Sequence, residues 1–179
     1  MASKQGTIAM TVDPVELKNL FKALSLLPKD SQDEIRTQAQ AMSKKLAGEI
    51  MVSGLTSPTP QARLVVESIV TPRDRLVRVD IGGSKKVGRK YGGTPTKSGK
   101  LVKQNAAPAG ALLWGSEFGS EGGVDSIGRK YTRRFKLGRN KRGYWINPAV
   151  DANIADIAAK YSQLIQDTID KLKLGSEVK

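Results

Sequence analysis

The end of the chain sets the strongest limit on its fold. Residues 143–175 read as a short apolar run that passes directly into one long amphipathic stretch. Asn147 has the side chain of a helix cap, Pro148 follows where a missing N–H costs nothing, and Asp151 complements the positive end of the helix dipole. Val150, Ile154, Ile157, Tyr161, Leu164, Ile165, Thr168, Ile169 and Leu172 then recur at three- and four-residue steps, with Lys160, Gln163, Gln166, Asp167 and Lys171 elsewhere on the wheel. The spacing predicts a helix over 148–174, roughly 40 Å long at about 1.5 Å per residue. So long an apolar edge must lie on a sheet, another helix or a neighbouring subunit.

The opposite end predicts two more helices. Asp13-Pro14-Val15-Glu16 supplies a cap, a first-turn proline and a glutamate placed to reach back to the cap. Leu17, Leu20, Phe21, Leu24 and Leu27 form one stripe up to Pro28. Ser31, with Glu34 after it, opens a second helix whose Ile35, Ala39, Met42, Leu46 and Ile50 face inward until Gly54 ends it. Together they predict a helical hairpin behind an arm over residues 1–12. Thr59-Pro60 opens a short helix that reaches Ser68.

Strand-like periods fill the middle. Val77, Val79 and Ile81 alternate with Arg78 and Asp80, which predicts a half-buried strand over 76–81. Residues 82–108 are Gly, Lys, Thr, Ser and Pro with little apolar content, an extended basic loop whose length points to a function or a partner. Ala109 to Phe118 predicts a short helix ending at the Gly-rich residues 119–123. Tyr131, Phe135 and Leu137 alternate with Thr132, Arg134 and Lys136, and Tyr144 and Ile146 resume the period, so a basic β-hairpin is expected over 128–146 with its tip at 138–142. The expected architecture is α+β and a single domain over 1–179: a helical hairpin and a long C-terminal helix on a small antiparallel sheet, with long basic loop and hairpin insertions.

The 179 residues include no cysteine and no histidine. That removes disulfides, thiolate metal sites, cysteine nucleophiles, and the commonest general base and metal ligand. No catalytic residue, cofactor or metal site is therefore expected; an enzyme built on carboxylates or lysine would have only scattered residues behind it. No apolar run approaches bilayer length, and Met1-Ala2-Ser3-Lys4-Gln5 lacks the apolar core of a secretory signal, so no membrane partner is expected.

The formal charge of +13 is regional. Residues 73–103 hold ten Lys/Arg against Asp74 and Asp80, residues 129–142 hold eight against no acid, and the remaining 134 residues have 12 basic and 15 acidic side chains. Lys85, Lys86, Arg89, Lys90, Arg129 and Lys130 are the candidates for phosphate contact, with affinity that falls steeply with salt. The alternative is a pair of loops that meet acidic surfaces of protein neighbours. No recognition-helix or RNA-binding signature accompanies the charge, which favours the assembly reading. The turn Ile81-Gly82-Gly83-Ser84-Lys85-Lys86 lacks phosphate-loop spacing. Gly-Arg-Lys-Tyr occurs at 88–91 and 128–131, a coincidence that a basic, glycine-rich chain produces readily.

Three words in order carry a resemblance. Ala62-Arg63-Leu64 with Ser68-Ile69 resembles the Gly-Arg-Leu…Ser-Ile word of the gene-ten-like neck and tail-completion family of long-tailed bacteriophages, whose members are also described as head–tail connector or minor tail proteins. Glu117-Phe118-Gly119-Ser120 resembles its Glu-Phe-Gly-Thr/Ser word, and Ile146-Asn147-Pro148-Ala149-Val150-Asp151-Ala152-Asn153 the word that opens its last helix. The resemblance covers roughly 14–82 and 109–174. Ala62 stands where the family usually has Gly, no His precedes Glu117, and both basic insertions are long.

The resemblance implies a non-enzymatic virion protein of the neck or upper tail, assembled in the host cytoplasm as a ring around the DNA path. A hexamer suits a sixfold tail, with a dodecamer as the other closed form. Neighbouring neck and tail proteins would be partners, with non-specific DNA contact through the loops. On this reading Trp114, Glu117, Phe118, Gly119, Arg133, Arg134, Arg139, Lys141, Arg142, Tyr144 and Trp145 belong to the subunit or partner interface. Gly119 would adopt a backbone conformation other residues resist, and Glu117 would cap backbone donors or pair with an arginine. The competing class is a basic nucleic-acid-binding module acting through its Lys/Arg-rich loops.

Overall fold

A helix longer than its core needs a second helix to lean on, and the chain supplies one. The computed structural model describes residues 22, 24–88, 93–95, 101–103, 106–124, 130–131, 135 and 137–177. Helix α1 spans Lys29–Thr56, α2 Ala62–Val66, α3 Ala109–Phe118 and α4 Ile146–Glu177. The largest helix–helix contact joins α1 to α4. Trp145 packs at Gly54, Lys45 reaches Asp156 and Lys171 reaches Glu34, so the two helices run antiparallel.

The buried face of α1 is Ile35, Ala39, Ser43, Ala47, Ile50 and Gly54, a four-residue stride of mostly small side chains that lets neighbours approach the helix backbone. Met42 and Leu46, expected on the inner face, are half-buried beside it. Two expected boundaries of α1 move. The helix begins at Lys29 behind an extended Pro28, whose carbonyl accepts the Gln32 N–H at 3.0 Å, so Ser31 lies inside the first turn rather than capping it. At the other end Gly54 does not stop the helix. A Cβ there would lie 2.4 Å from Val66 Cγ2 and 2.8 Å from Trp145 Cε3, so this glycine is a contact surface inside the last turn.

Of the expected N-terminal helix, the described part is a helical turn at Lys22, Leu24 and Ser25 with Leu24 buried. Gln32 Nε2 ties the connection down by donating to the carbonyls of Leu27 at 2.9 Å and Ser25 at 3.3 Å. Leu17, Leu20, Phe21 and the arm over 1–12 lie outside the described residues.

The architecture is α+β in the sense expected, but among the described residues the sheet content is three two-stranded antiparallel pairs. Strands β1 (Lys86–Val87) and β4 (Ala107–Pro108) pair as Lys86↔Pro108 and Val87↔Ala107. Strands β2 (Gly93–Pro95) and β3 (Leu101–Lys103) pair as Gly93↔Lys103 through Pro95↔Leu101. The described parts of 82–108 thus form a ribbon that folds back on itself, not an extended loop. Strand β5 (Gly123–Val124) pairs with β6 (Lys130–Tyr131). That corrects the expected hairpin of 128–146: the partner of Lys130–Tyr131 is Gly123–Val124, and the residues assigned to the return strand lead into α4. Residues 76–81 alternate as expected, with Val79 and Ile81 against the core and Arg78 exposed. They make a single bridge, Val70↔Asp80, in place of a strand ladder. Side chains hold this segment: Ser43 Oγ accepts the Arg78 N–H at 2.9 Å, Ser68 Oγ accepts that of Gly82 at 2.8 Å, and Tyr161 OH donates to the Arg75 carbonyl at 2.7 Å.

The core lies at one end of the α1–α4 pair. Ala47 and Ile50 of α1, Ala62, Val65 and Val66 of α2, Leu113 of α3, and Trp145, Ile146 and Ala149 at the start of α4 close around one another. Trp145 alone buries enough surface for about 4–6 kcal/mol. Beyond this core α4 runs along α1, with Tyr161 also bonded to the Arg75 carbonyl, and Ile154, Ile157, Leu164 and Ile165 are half-buried among the described residues. Exposed ion pairs decorate that seam: Lys160 and then Lys45 hold the Asp156 carboxyl below its ordinary range, and Glu34 raises Lys171. Such pairs contribute little, so burial holds the seam.

Gly54→Ala separates local propensity from packing. Propensity favours alanine by about 1 kcal/mol, whereas overpacking costs about 1–3 kcal/mol, and we expect a net loss of up to about 2 kcal/mol in denaturant unfolding. A gain would place Trp145 elsewhere. Burial raises the Tyr161 phenol above its ordinary value, with Asp74 adding to it. The neutral phenol therefore contributes stability that is complete below about pH 10 and falls as pH rises through the raised value. Tyr161→Phe should cost about 1 kcal/mol at neutral pH and flatten the alkaline loss of stability in melts from pH 8 to about pH 11.

Candidate functional site

The word Glu117-Phe118-Gly119-Ser120 ends α3, and every residue in it is engaged with the segment that leads into α4. Glu117 is 0% exposed. Its Oε2 accepts the N–H groups of Trp145 at 3.1 Å and Ile146 at 2.8 Å, and its Oε1 accepts that of Asn147 at 2.9 Å. Its backbone carbonyl takes the Tyr144 N–H at 2.8 Å. The first intrahelical bond of α4 runs from Ala149 N–H to Trp145 O at 3.4 Å, which makes Trp145 the cap position and leaves Trp145, Ile146, Asn147 and Pro148 as the residues whose donors lack helical partners. Three of those donors go to Glu117, and the fourth does not exist because Pro148 has none. Asn147, expected as the cap, is instead one of the capped residues. The carboxylate also sits at the positive end of the α4 dipole.

The next residues continue the seam. Phe118 O accepts the Asn140 N–H at 2.8 Å, Ser120 N–H donates to Leu137 O at 3.1 Å, and Ser120 Oγ accepts the Phe135 N–H at 3.0 Å. Gly119 has φ 71° and ψ −168°, a region almost reserved for glycine, and a Cβ there would lie 1.9 Å from Gly138 O. Gly143 is equally fixed: at φ 81° its Cβ would be 1.8 Å from Glu117 Oε1. On the far side Thr59 Oγ1 donates to Ser116 O at 2.9 Å, which ties the entry to α2 into the same knot. Two of the three words that carry the sequence resemblance, 117–120 and 146–153, meet here, and Ala62 of the first is buried in the adjoining core.

The expected site residues divide into an inside and an outside. Glu117 and Trp145 are interior groups of the single chain, both 0% exposed, and shape the surface from beneath rather than touch a partner. Burying the carboxylate is what allows it to serve backbone donors, and Trp145 fills the space over Gly54. Phe118 and Tyr144 are half-buried, and Tyr144 OH donates to Gly138 O at 3.0 Å. Trp114, Arg139, Lys141 and Arg142 are on the surface. Trp114 and Phe118 form a tilted aromatic pair with centroids 4.6 Å apart. Lys86 is exposed, and Lys85 is exposed with its ammonium donating to the Glu67 carbonyl. Arg89, Lys90, Arg129, Arg133 and Arg134 lie outside the described residues, as does the Lys130 side chain.

No role is expected of Gly143, Gly115 or Asn140 from the sequence, and Ser120 enters only as the last letter of its word. Gly115 leaves room for the Phe135 ring, which a Cβ would meet at 1.9 Å. Asn140 closes a turn by donating to Gly143 O at 2.8 Å and accepting the Arg142 N–H at 3.0 Å. An Asn three residues before a Gly is a usable turn signal; nothing local marks Gly115.

A groove of about 530 Å³ runs along the α1–α4 seam between Met42 and Leu164. It is open and its charges are matched in pairs, Lys171 with Glu34 and Lys160 with Asp156, so it holds no convergent set of free donors. Among the described residues no group of acidic side chains is placed to hold a metal ion, and no helix is long and apolar enough to cross a membrane. Compared with models of protein families, with curated proteins and with solved structures, the chain matches none.

Glu117→Ala would orphan the two buried N–H groups of Trp145 and Ile146, at about 1–3 kcal/mol each, and the half-buried one of Asn147 at less. A loss of about 3–6 kcal/mol is a large share of the stability of a domain this size, and thermal unfolding should show it. Glu117→Gln should fall between, because one acceptor remains while its amide donors face backbone donors. Gly119→Val should fail to fold. A Glu117→Ala chain as stable as wild type would remove the carboxylate from this role.

Proposed function

We propose that the chain is a structural component of the neck or upper tail of a long-tailed bacteriophage, acting in head-to-tail connection or tail completion as a ring around the DNA path. The observation that carries this reading is the convergence of its three resembling words. The words 117–120 and 146–153 are joined by the hydrogen bonds of Glu117 to Ile146 and Asn147, and Ala62 of the first word, up to about 90 positions away, is buried in the same core cluster as Ile146 and Ala149. A chance likeness in three unrelated words has no reason to collect at one place.

The long helix gives the reading a physical surface. Closed rings use heterologous contacts, so one chain must offer two different patches. The stripe Ile154, Ile157, Leu164 and Ile165 is half-buried and Ile169 is 39% exposed, along a helix that outruns the core. This face is one patch, and the ribbon within residues 82–108 of the neighbouring subunit is the other. The role is scaffolding and involves no catalysis or cofactor.

Light scattering on the purified chain tests it. We expect a discrete ring, with a hexamer at six times 19.3 kDa, about 116 kDa, as the favoured mass and a dodecamer as the other closed form. Ile169→Glu should keep the helical content and melting behaviour of the monomer and abolish the ring. A chain that stays monomeric and binds short duplex DNA tightly, with affinity that weakens about tenfold or more from low to physiological salt, overturns the reading in favour of a basic nucleic-acid module.

A further inference from the structure

We propose that Trp114, Phe118 and the turn bearing Arg139, Lys141 and Arg142 form a site for unpaired nucleotides, with the indole as the stacking surface and the cations on phosphates. Trp114 is 58% exposed on α3, whereas the other tryptophan, Trp145, is 0% exposed. Phe118 lies one helical turn on, its ring tilted 52° to the indole, and steadies it. The basic turn is fastened to this pair through Phe118 itself, whose carbonyl accepts the Asn140 N–H at 2.8 Å.

The turn is rigid in a way its surface position does not require. Asn140 bonds to both Arg142 and Gly143, and Tyr144 OH holds Gly138 from below. On this fixed base stand three exposed cations, and among the described residues none of them has an ion-pair partner. Like charges crowded on a fixed turn repel, and a polyanion relieves that repulsion at little cost in ordering. A duplex hides its base faces. An acidic peptide offers carboxylates to the cations but no planar group to the indole. A single strand supplies phosphates and free base faces together, the combination that aromatic platforms beside basic grooves bind.

Fluorescence provides the test, because Trp145 is sealed in the core and any ligand-induced change reports Trp114. The full chain is titrated with oligo-dT, with the same strand annealed to oligo-dA, and with heparin. We expect quenching by oligo-dT alone, with affinity falling roughly twentyfold between about 50 and about 200 mM salt for three phosphate contacts. In anisotropy of labelled oligo-dT, Trp114→Leu should weaken binding at least about fivefold, and Arg139→Gln with Arg142→Gln about tenfold. All variants alter exposed side chains and should keep wild-type circular dichroism. Absence of quenching, equal binding of the duplex, or binding that Trp114→Leu leaves unchanged would overturn the site. It does not rest on the ring reading: a chain that forms rings but ignores oligo-dT loses this site alone, and one that binds oligo-dT as a monomer keeps it.

Discussion

A helix that starts inside a protein brings with it four backbone donors that it cannot satisfy itself, and leaving them bare costs more than most single contacts provide. Here the helix is the longest described, and its first residues, Trp145 and Ile146, are packed in the core. One side chain resolves the problem. Glu117, from a helix about thirty residues earlier, takes the donors of Trp145, Ile146 and Asn147, and Pro148 removes the fourth. Much else follows from the need to hold that carboxylate still. Gly143 has no side chain because Glu117 Oε1 occupies its place, Gly119 bends where only glycine bends well, and Leu137, Asn140 and Tyr144 bond along the end of α3.

The same requirement explains why the core is at one end. Trp145 must be buried for its N–H to be reached, and it is buried by pressing against the bare backbone at Gly54 and against Val66. Helices α2 and α3 gather around that point, and among the described residues the rest of α4 extends beyond them along α1 and the segment at Arg75. A half-covered stripe is the result. The protein therefore has a tightly specified head, where polar and apolar constraints agree, and a two-helix extension whose apolar edge is available to another surface.

These two regions suit different tasks. The extension offers area and continuity, which an assembly interface needs. The surface over the knot offers a fixed turn, an exposed indole and unpaired cations, which suit recognition of a small charged and planar group. Neither requires the other, and the knot beneath supports both by fixing the angle at which α4 leaves the core.

The sequence by itself determined the helices, because their signal is local: the three- and four-residue steps of α4, the inward stride of α1 and the apolar run of α3 all follow from side chains within two turns of one another. The family resemblance put Gly119 at a constrained backbone position and left Glu117 either capping backbone donors or pairing with an arginine, and the fold chose the donors. What the sequence could not place were the pairings. The alternation at 130–137 is real, yet Lys130–Tyr131 pairs with Gly123–Val124, since a strand's period fixes its faces but not its partner. Asn147 resembles a cap more than Glu117 does, and a carboxylate from a distant helix displaced it. Gly54 reads as a stop and serves as a seat for an indole. In each case a residue close in sequence offered a local solution, and one brought near only by the fold offered a better one. Tertiary structure alone decided between them, because burial makes a distant hydrogen bond or a missing Cβ worth more than local propensity.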